Sequence, residues 1–579
     1  MSRVATLGPR HESAEKRVRF RARLAAVAGD PQVAVVVLAA AAMGVGITWG
    51  LPGSDSWATD AISPRSCGLG AIVETYWPGH FHTYPPLHMA ILTVLSLPWM
   101  AAAAVRVGTG VGALSDELIK PLYMTGIELG ARAVAIAMAV GALCNTMRLW
   151  ARLAGPRVAL GAGIVVAANA TFIYYAHTGN VDVPYLFWVT GALVEMDRVM
   201  SGEPRETRAL LLATAAVLTK DQAAAALLIP LVLAFAVSPK TRRVSVARPA
   251  VRDAVVRAAV AYAVVSGAIV NPVGFAHRVA FLLGPASQTW AGYPRGLRGA
   301  LALAHDAVAA TPRFTSGFVA VAALVGVMIA VTSRHGVTRV RALLPLSAAV
   351  SFTLFFTLAA RRSEDRFLLP QSLFALPYAA LAFDAAWVRW PRAHVGLAAC
   401  AAAALVPALL GVASLDATLL NDSRYAAERY LATLPTGTHV EVYGGPIFLP
   451  RIPTQIAAVR PGIEPIADRE RIAGVEELVD PAMDPRPRAP SAIVLATELS
   501  NHAATDPPAR ALSYALAQYR DAQSHALFRG LLDGSLGYVR ALRATCTVSW
   551  PLACREVHRA TAGEVWIYRP KAGVGPPIP

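Results

Sequence analysis

Long apolar stretches separated by short basic ones order most of the chain. Residues 31–50 (PQVAVVVLAAAAMGVGITWG) carry no charge, and comparable apolar runs recur at 157–178, 254–273, 314–332, 341–360, 366–388 and 394–413. About twenty apolar residues make a helix that spans the hydrocarbon core of a bilayer. The pattern therefore predicts a mainly α, polytopic transmembrane bundle over residues 31–413. From about residue 414 the runs shorten, and Pro, Asp, Glu and Arg rise. There HVEVYG (439–444), SAIVLAT (491–497) and EVWIYRP (564–570) read as strands, 423–434 and 508–532 as helices, and 473–490 as a loop. This predicts a small extracytoplasmic α/β domain over 414–579.

Composition sharpens that reading. The 579 residues are 55% apolar and only 16% charged, with a mean hydropathy of +0.46, whereas soluble globular chains carry roughly 25% charge. The net charge of +16 does not imply a nucleic-acid partner, because the basic residues sit between apolar runs, as the positive-inside rule requires. Arg3, Arg10, Lys16, Arg17, Arg19, Arg21 and Arg23 make residues 1–30 a basic cytoplasmic arm, and 31–50 a retained signal anchor of an inner-membrane protein. Further inner clusters are Arg148/Arg152/Arg157, Arg198/Arg205/Arg208, Lys240 to Arg257, Arg334/Arg339/Arg341 and Arg389/Arg392.

The outer segments are then a first loop, 51–85, turns near Asp182 and Lys220–Asp221, the stretches 274–313 and 361–366, and the tail. Parity makes 86–105 a membrane-embedded or juxtamembrane segment that does not cross, for about eleven crossings in all; two crossings within 86–120 would give about thirteen. The stretches 209–219 and 222–237 are short for full spans, which is tolerated where backbone lines a protein cavity and points to a site at their junction. No internal repeat supports an inverted-repeat transporter. Of five cysteines, only Cys546 and Cys554 are spaced to pair, if the tail is outside the cytoplasm.

Candidate chemistry gathers on the outer segments. The first loop holds Asp55, Asp60, Arg65, Glu74, His80 and His82 among Trp57, Tyr76, Trp77, Phe81 and Tyr84. Carboxylates beside aromatic faces suit a sugar, and a carboxylate there could take a proton from an acceptor hydroxyl; solvated acids that cap helices are the plainer reading. Asp182 begins a span, as a helix cap or a functional charge. Lys220 could hold a lipid phosphate as a point charge, or snorkel. Arg361, Arg362, Glu364, Asp365 and Arg366 cluster against the usual sign preference, as bidentate phosphate ligands or as an internal salt-bridge network. His80 and His82 lack a clear third ligand, so a divalent metal has little support.

In order and spacing these elements resemble the bacterial polytopic glycosyltransferases of the GT-C fold, related to dolichyl-phosphate-mannose–protein mannosyltransferases and lipid A aminoarabinose transferases. The residues that carry the resemblance are a first-loop Asp, Tyr84-Pro85-Pro86-Leu87, Asp182-Val183-Pro184, Thr219-Lys220, Arg362 to Pro370 (RSEDRFLLP), and NDSRYAAERYLATLPTGTHVEVYG in the tail. The resemblance implies an inverting transfer from a polyprenyl-phosphate sugar to a glycan, lipid or protein acceptor, with a loop Asp as base and cations holding the departing phosphate. Family members commonly show an Asp-Glu pair in that loop; here Asp60 precedes Ala61 and Asp55 precedes Ser56. Asp60 is the favoured base and Asp55 the second, with Asp182, Lys220, Arg362, Arg366 and Tyr84 as substrate-binding candidates. A transporter or lipid flippase is the alternative, but its ionisable residues would lie near midspan, not at one face.

Overall fold

The computed structural model describes residues 30–53, 57, 58, 61, 68–236, 249–288, 291–332, 336–462, 465, 472, 474–480, 482–496, 499, 522–557, 561 and 563–571. Asp55, Asp60, Arg65, most of the basic arm, the basic stretch 240–248, Arg334 and residues 508–521 lie outside them.

Residues up to about 420 are helical. Among the described residues four helices are long and apolar enough to cross a membrane: Pro86–Val107, Pro121–Ala154, Asp365–Arg389 and Pro391–Ala432. Two bent pairs, Pro156–Ala167 with Ala170–Ala176 and Leu297–Phe314 with Gly317–Thr332, raise the number to six. Pro31–Gly44, Ala223–Phe235 and Leu344–Ala360 are shorter apolar helices. The expected count of about eleven exceeds these six. Breaks account for part of the difference. Asn169 accepts a bond from the Phe172 amide at a 70° bend, and a π-helical turn at Thr353–Thr357 interrupts another run.

Residues 86–105 are one continuous helix, Pro86–Val107, long enough to cross, although the sequence pattern gave them no crossing. It packs on the first half of Pro121–Ala154, among other helices: Trp99 packs on Gly126, and Met89 and Leu92 join Ala131 and Val134.

Two ends of the bundle sort by charge. Arg152 and Arg341 both donate to the fully buried Asp197, at 2.6 and 2.7 Å, and Arg198 donates to Glu195 at 3.1 Å. Three of the basic clusters listed above thus meet at one end. Asp182, Lys220 and the 361–366 turn meet at the other.

The C-terminal region is a six-stranded sheet in the order β3-β2-β1-β4-β6-β5. Strands β1 (His439–Tyr443), β2 (Ala457–Gly462), β3 (Val475–Val479) and β4 (Ala492–Leu495) are parallel, and β6 (Val565–Pro570) runs antiparallel to β4 and β5 (Tyr538–Ala544). Alternation puts Val440, Val442, Val494 and Ile567 on one face, under Ala427 and Leu431 of helix Ser423–Ala432. Tyr443, Ile493, Leu495 and Trp566 face Leu527, Phe528 and Leu531 of helix Ala522–Leu532. The stretch 473–490, expected as a loop, contains β3 and the buried-side contacts of Arg488, which donates to Glu441 at 2.5 Å.

Cys546 and Cys554 form a disulfide with Cα atoms 6.1 Å apart. On either side of Cys554, the Ala553 and Arg555 amides donate to Ser414 and Thr418 of the last long helix. Closing so short a loop stabilises the folded chain by about 2–3 kcal/mol. C546S/C554S is therefore expected to lower the unfolding transition of the C-terminal region, measured by thermal unfolding in detergent; an unchanged transition would make the bridge dispensable.

Candidate active site

Asp182 opens helix Asp182–Met200, but it does not cap it. The cap position is Val181 and no side chain bonds there. The carboxylate, 2% exposed, instead accepts a 2.5 Å bond from Lys220 Nζ, 5% exposed. Lys220 ends helix Glu206–Thr219, where the chain turns extended before Ala223–Ala236. The junction of two short helices thus delivers an ammonium into the interior. Asp221, beside it in sequence, turns away to pair with Arg278.

Phe367 organises the other cations. Its ring centroid lies 5.9 Å from Lys220 Nζ, 4.5 Å from Arg362 Cζ and 4.6 Å from Arg366 Cζ. The electron-rich ring face attracts each of them. Lys220 also lies 5.8 Å from the Tyr185 ring. Glu364 accepts from Arg362 at 2.5 Å and from Arg366 at 3.0 Å, so three cations meet two carboxylates, Asp182 and Glu364. Asp365 pairs outward with Arg313 at 2.8 Å, and Arg361 donates to the Tyr293 carbonyl at 2.9 Å.

The 361–364 turn is held from outside. Arg361 has a left-handed φ of 55°, and its carbonyl accepts from the Gly292 amide. The Tyr293 hydroxyl donates to Asp306 at 2.6 Å and shares a 2.5 Å bond with Ser363. Burial, with the Asp306 carboxylate behind it, holds that hydroxyl above its usual pKa, so it remains a donor. Beneath Asp365, burial lowers the Arg555 guanidinium while Asp365 raises it.

The buried hydroxyls of Tyr175 and Tyr185 have no hydrogen-bond partner among the described residues. Buried polar groups without partners are rare, and one of these two, Tyr185, borders the cation cluster through Lys220. Sequence reasoning did not find Tyr175, Tyr185 or Phe367; their apolar bodies merge with the surrounding runs.

Tyr84 lies to one side, packed with Ala71, Met89 and Val181 and 6.4 Å from the His82 ring. His82 contacts Glu74 at 2.8 Å. Among the described residues no three His, Cys, Asp or Glu side chains gather as metal ligands. Asp55 and Asp60 are not described, but their neighbours are. Trp57 stacks against Arg424 (4.1 Å), Arg451 (5.3 Å) and Tyr425 (5.1 Å). The Gly53 amide donates to Thr125 at 3.2 Å. Ala58 and Ala61 pack in the cluster that contains Tyr174, Tyr175 and Tyr185. Farther on, Asn271 donates to the carbonyls of Thr75, Trp77 and His80.

No family model and no curated protein matches the sequence. Solved structures similar to the chain include archaeal oligosaccharyltransferase AglB from Archaeoglobus fulgidus in complex with an inhibitory peptide and a dolichol-phosphate. The two are 12% identical, with 93% of this chain and 88% of that one covered and a TM-score of 0.46. ArnT from Cupriavidus metallidurans bound to undecaprenyl phosphate is 14% identical, with 94% and 99% covered and a TM-score of 0.43. Both are GT-C fold glycosyltransferases. In the Archaeoglobus fulgidus oligosaccharyltransferase complex with Zn and sulfate, 14% identical with a TM-score of 0.40, the match covers 70% of this chain and 60% of that one.

Proposed function

We propose that the chain is an integral-membrane glycosyltransferase that moves a sugar from a polyprenyl-phosphate donor to an acceptor hydroxyl or amine at the outer face of the cytoplasmic membrane. The observation that carries this is the gathering of Lys220, Arg362 and Arg366 around Phe367, beside the Tyr185 hydroxyl, which has no hydrogen-bond partner among the described residues. Like charges repel strongly where water is scarce, so such a group suits a phosphate ligand. The order of motifs along the sequence points the same way.

In the proposed step the acceptor attacks the anomeric carbon from the side opposite the phosphate. A first-loop carboxylate, Asp60 or else Asp55, takes the acceptor proton. The bond from anomeric carbon to phosphate oxygen breaks, and its electron pair leaves with the polyprenyl phosphate. Lys220, Arg362 and Arg366 stabilise the charge that collects there. Inversion at carbon follows from the single displacement.

The test is a transfer assay in membranes supplied with radiolabelled polyprenyl-phosphate sugars. Losing one charge-assisted donor costs roughly 10–100-fold, so R366Q is expected to lower transfer by that factor, and R366K to recover only part because a bidentate fork is lost. Undiminished transfer by R366Q would remove Arg366 from the site. Absence of transfer from every polyprenyl-phosphate sugar supplied would count against the reading as a whole.

A further inference from the structure

The end of the bundle opposite the cation cluster carries a second site. A groove of about 450 Å³ runs along the hairpin of helices Asp182–Met200 and Glu206–Thr219, lined by Trp188, Pro204, Arg205, Arg208, Leu211 and Ala215 among others. Glu195, 3% exposed, sits at its head. Arg198, Arg208 and Arg205 approach this one carboxylate at 3.1, 3.3 and 4.0 Å. Arg198 also lies 3.9 Å from Glu203, which it shares with Arg152; four guanidiniums on these two carboxylates leave positive charge in excess, and the side chains of Arg205 and Arg208 are 42% and 62% exposed. Trp188 adds a buried indole N–H with no hydrogen-bond partner among the described residues. Leu211 and Ala215 make the remaining wall apolar. Asp182 and Glu195 are thirteen positions apart on one helix, so the two sites are separated by about 20 Å.

We propose that this groove binds the phosphate-bearing headgroup of an anionic membrane lipid, with its acyl chain along Leu211 and Ala215. Excess arginine supplies the charge that a phosphodiester takes, and Trp188 supplies a neutral donor. The apolar wall beside the charges distinguishes the site from one for a free anion, which has no use for it. Basic pockets between spans bind such headgroups. The site is independent of the proposed transfer reaction.

The full chain, purified in a neutral detergent, is titrated with phosphatidylglycerol and with phosphatidylcholine, and retained lipid is counted by native mass spectrometry. Each basic residue at such a surface favours an anionic lipid about five-fold, so R205Q/R208Q is expected to lower phosphatidylglycerol affinity about 30-fold. Phosphatidylcholine binding should hardly change. R205K/R208K, which keeps both charges, should retain most of the preference and guards against a merely misfolded variant. R362Q/R366Q should bind phosphatidylglycerol as the wild type does, which separates this site from the cation cluster. Equal binding of the two lipids by the wild type, or undiminished phosphatidylglycerol binding by R205Q/R208Q, would overturn the proposal. Displacement of the lipid by millimolar inorganic phosphate would assign the groove to free phosphate instead.

Discussion

Lys220→Met is expected to lower sugar transfer about 10²–10³-fold, the range seen when one preorganised donor is removed from a developing negative charge. The same change should also destabilise the protein. Asp182 and Lys220 are 2% and 5% exposed and bonded at 2.5 Å, and removing one partner of a buried pair strands the other charge at a cost of about 3–5 kcal/mol. Activity loss alone would therefore be ambiguous. The double variant D182N/K220M resolves it: two neutral side chains of similar volume leave no stranded charge, so stability should return to near the wild type while transfer stays low. Thermal unfolding and the membrane assay, run on all three proteins, read the two effects separately. If transfer recovers along with stability, Lys220 is a structural partner of Asp182 and does not meet the substrate.

Asp60→Asn is expected to lower transfer about 10²–10⁴-fold, the contribution of a positioned general base, with Asp55→Asn nearly silent. The preference for Asp60 rests on its place in the sequence, ahead of Pro64 and the Tyr84-Pro85-Pro86-Leu87 element. Donor binding should survive D60N, because a base acts on the acceptor. A silent D60N with an inactive D55N would exchange the two roles; normal transfer by both would exclude these two aspartates as the base.

The parts of the site legible in the sequence were its charges. An ionisable residue at the end of an apolar run stands out because burial is costly, and Asp182, Lys220, Arg362 and Arg366 all showed that signal. Phe367, Tyr175 and Tyr185 carried none, since an aromatic ring inside an apolar run reads as more apolar run. The sheet divides along the same line. Strands β1, β4 and β6 were found because they lie in the middle of the sheet, buried on both faces and nearly continuous in apolar residues. The unpredicted β3 (VEELV) and β5 (YVRALRA) are the two edges, where charged side chains are normal. β2 (AAVRPG) was hidden by Pro461 and Gly462, which usually mark turns. Asp182 read equally as a helix cap or a functional charge for a related reason: sequence position is the same whether the carboxylate bonds its own backbone or a lysine from the next helix.

The indole of Trp49 donates to Asp422, 373 residues further along the chain, and Trp57 rests between Arg424 and Arg451. A ribosome adding about 5–20 residues per second needs roughly 20–75 s to cover that distance. Throughout that interval Trp49 and Trp57 are without the surface they finally rest on. The nascent protein thus has Trp49 and Trp57 long before it has the arginine and tyrosine faces that hold them, and a ribosome that stalls before residue 424 leaves a chain in which these two indoles never acquire their seat.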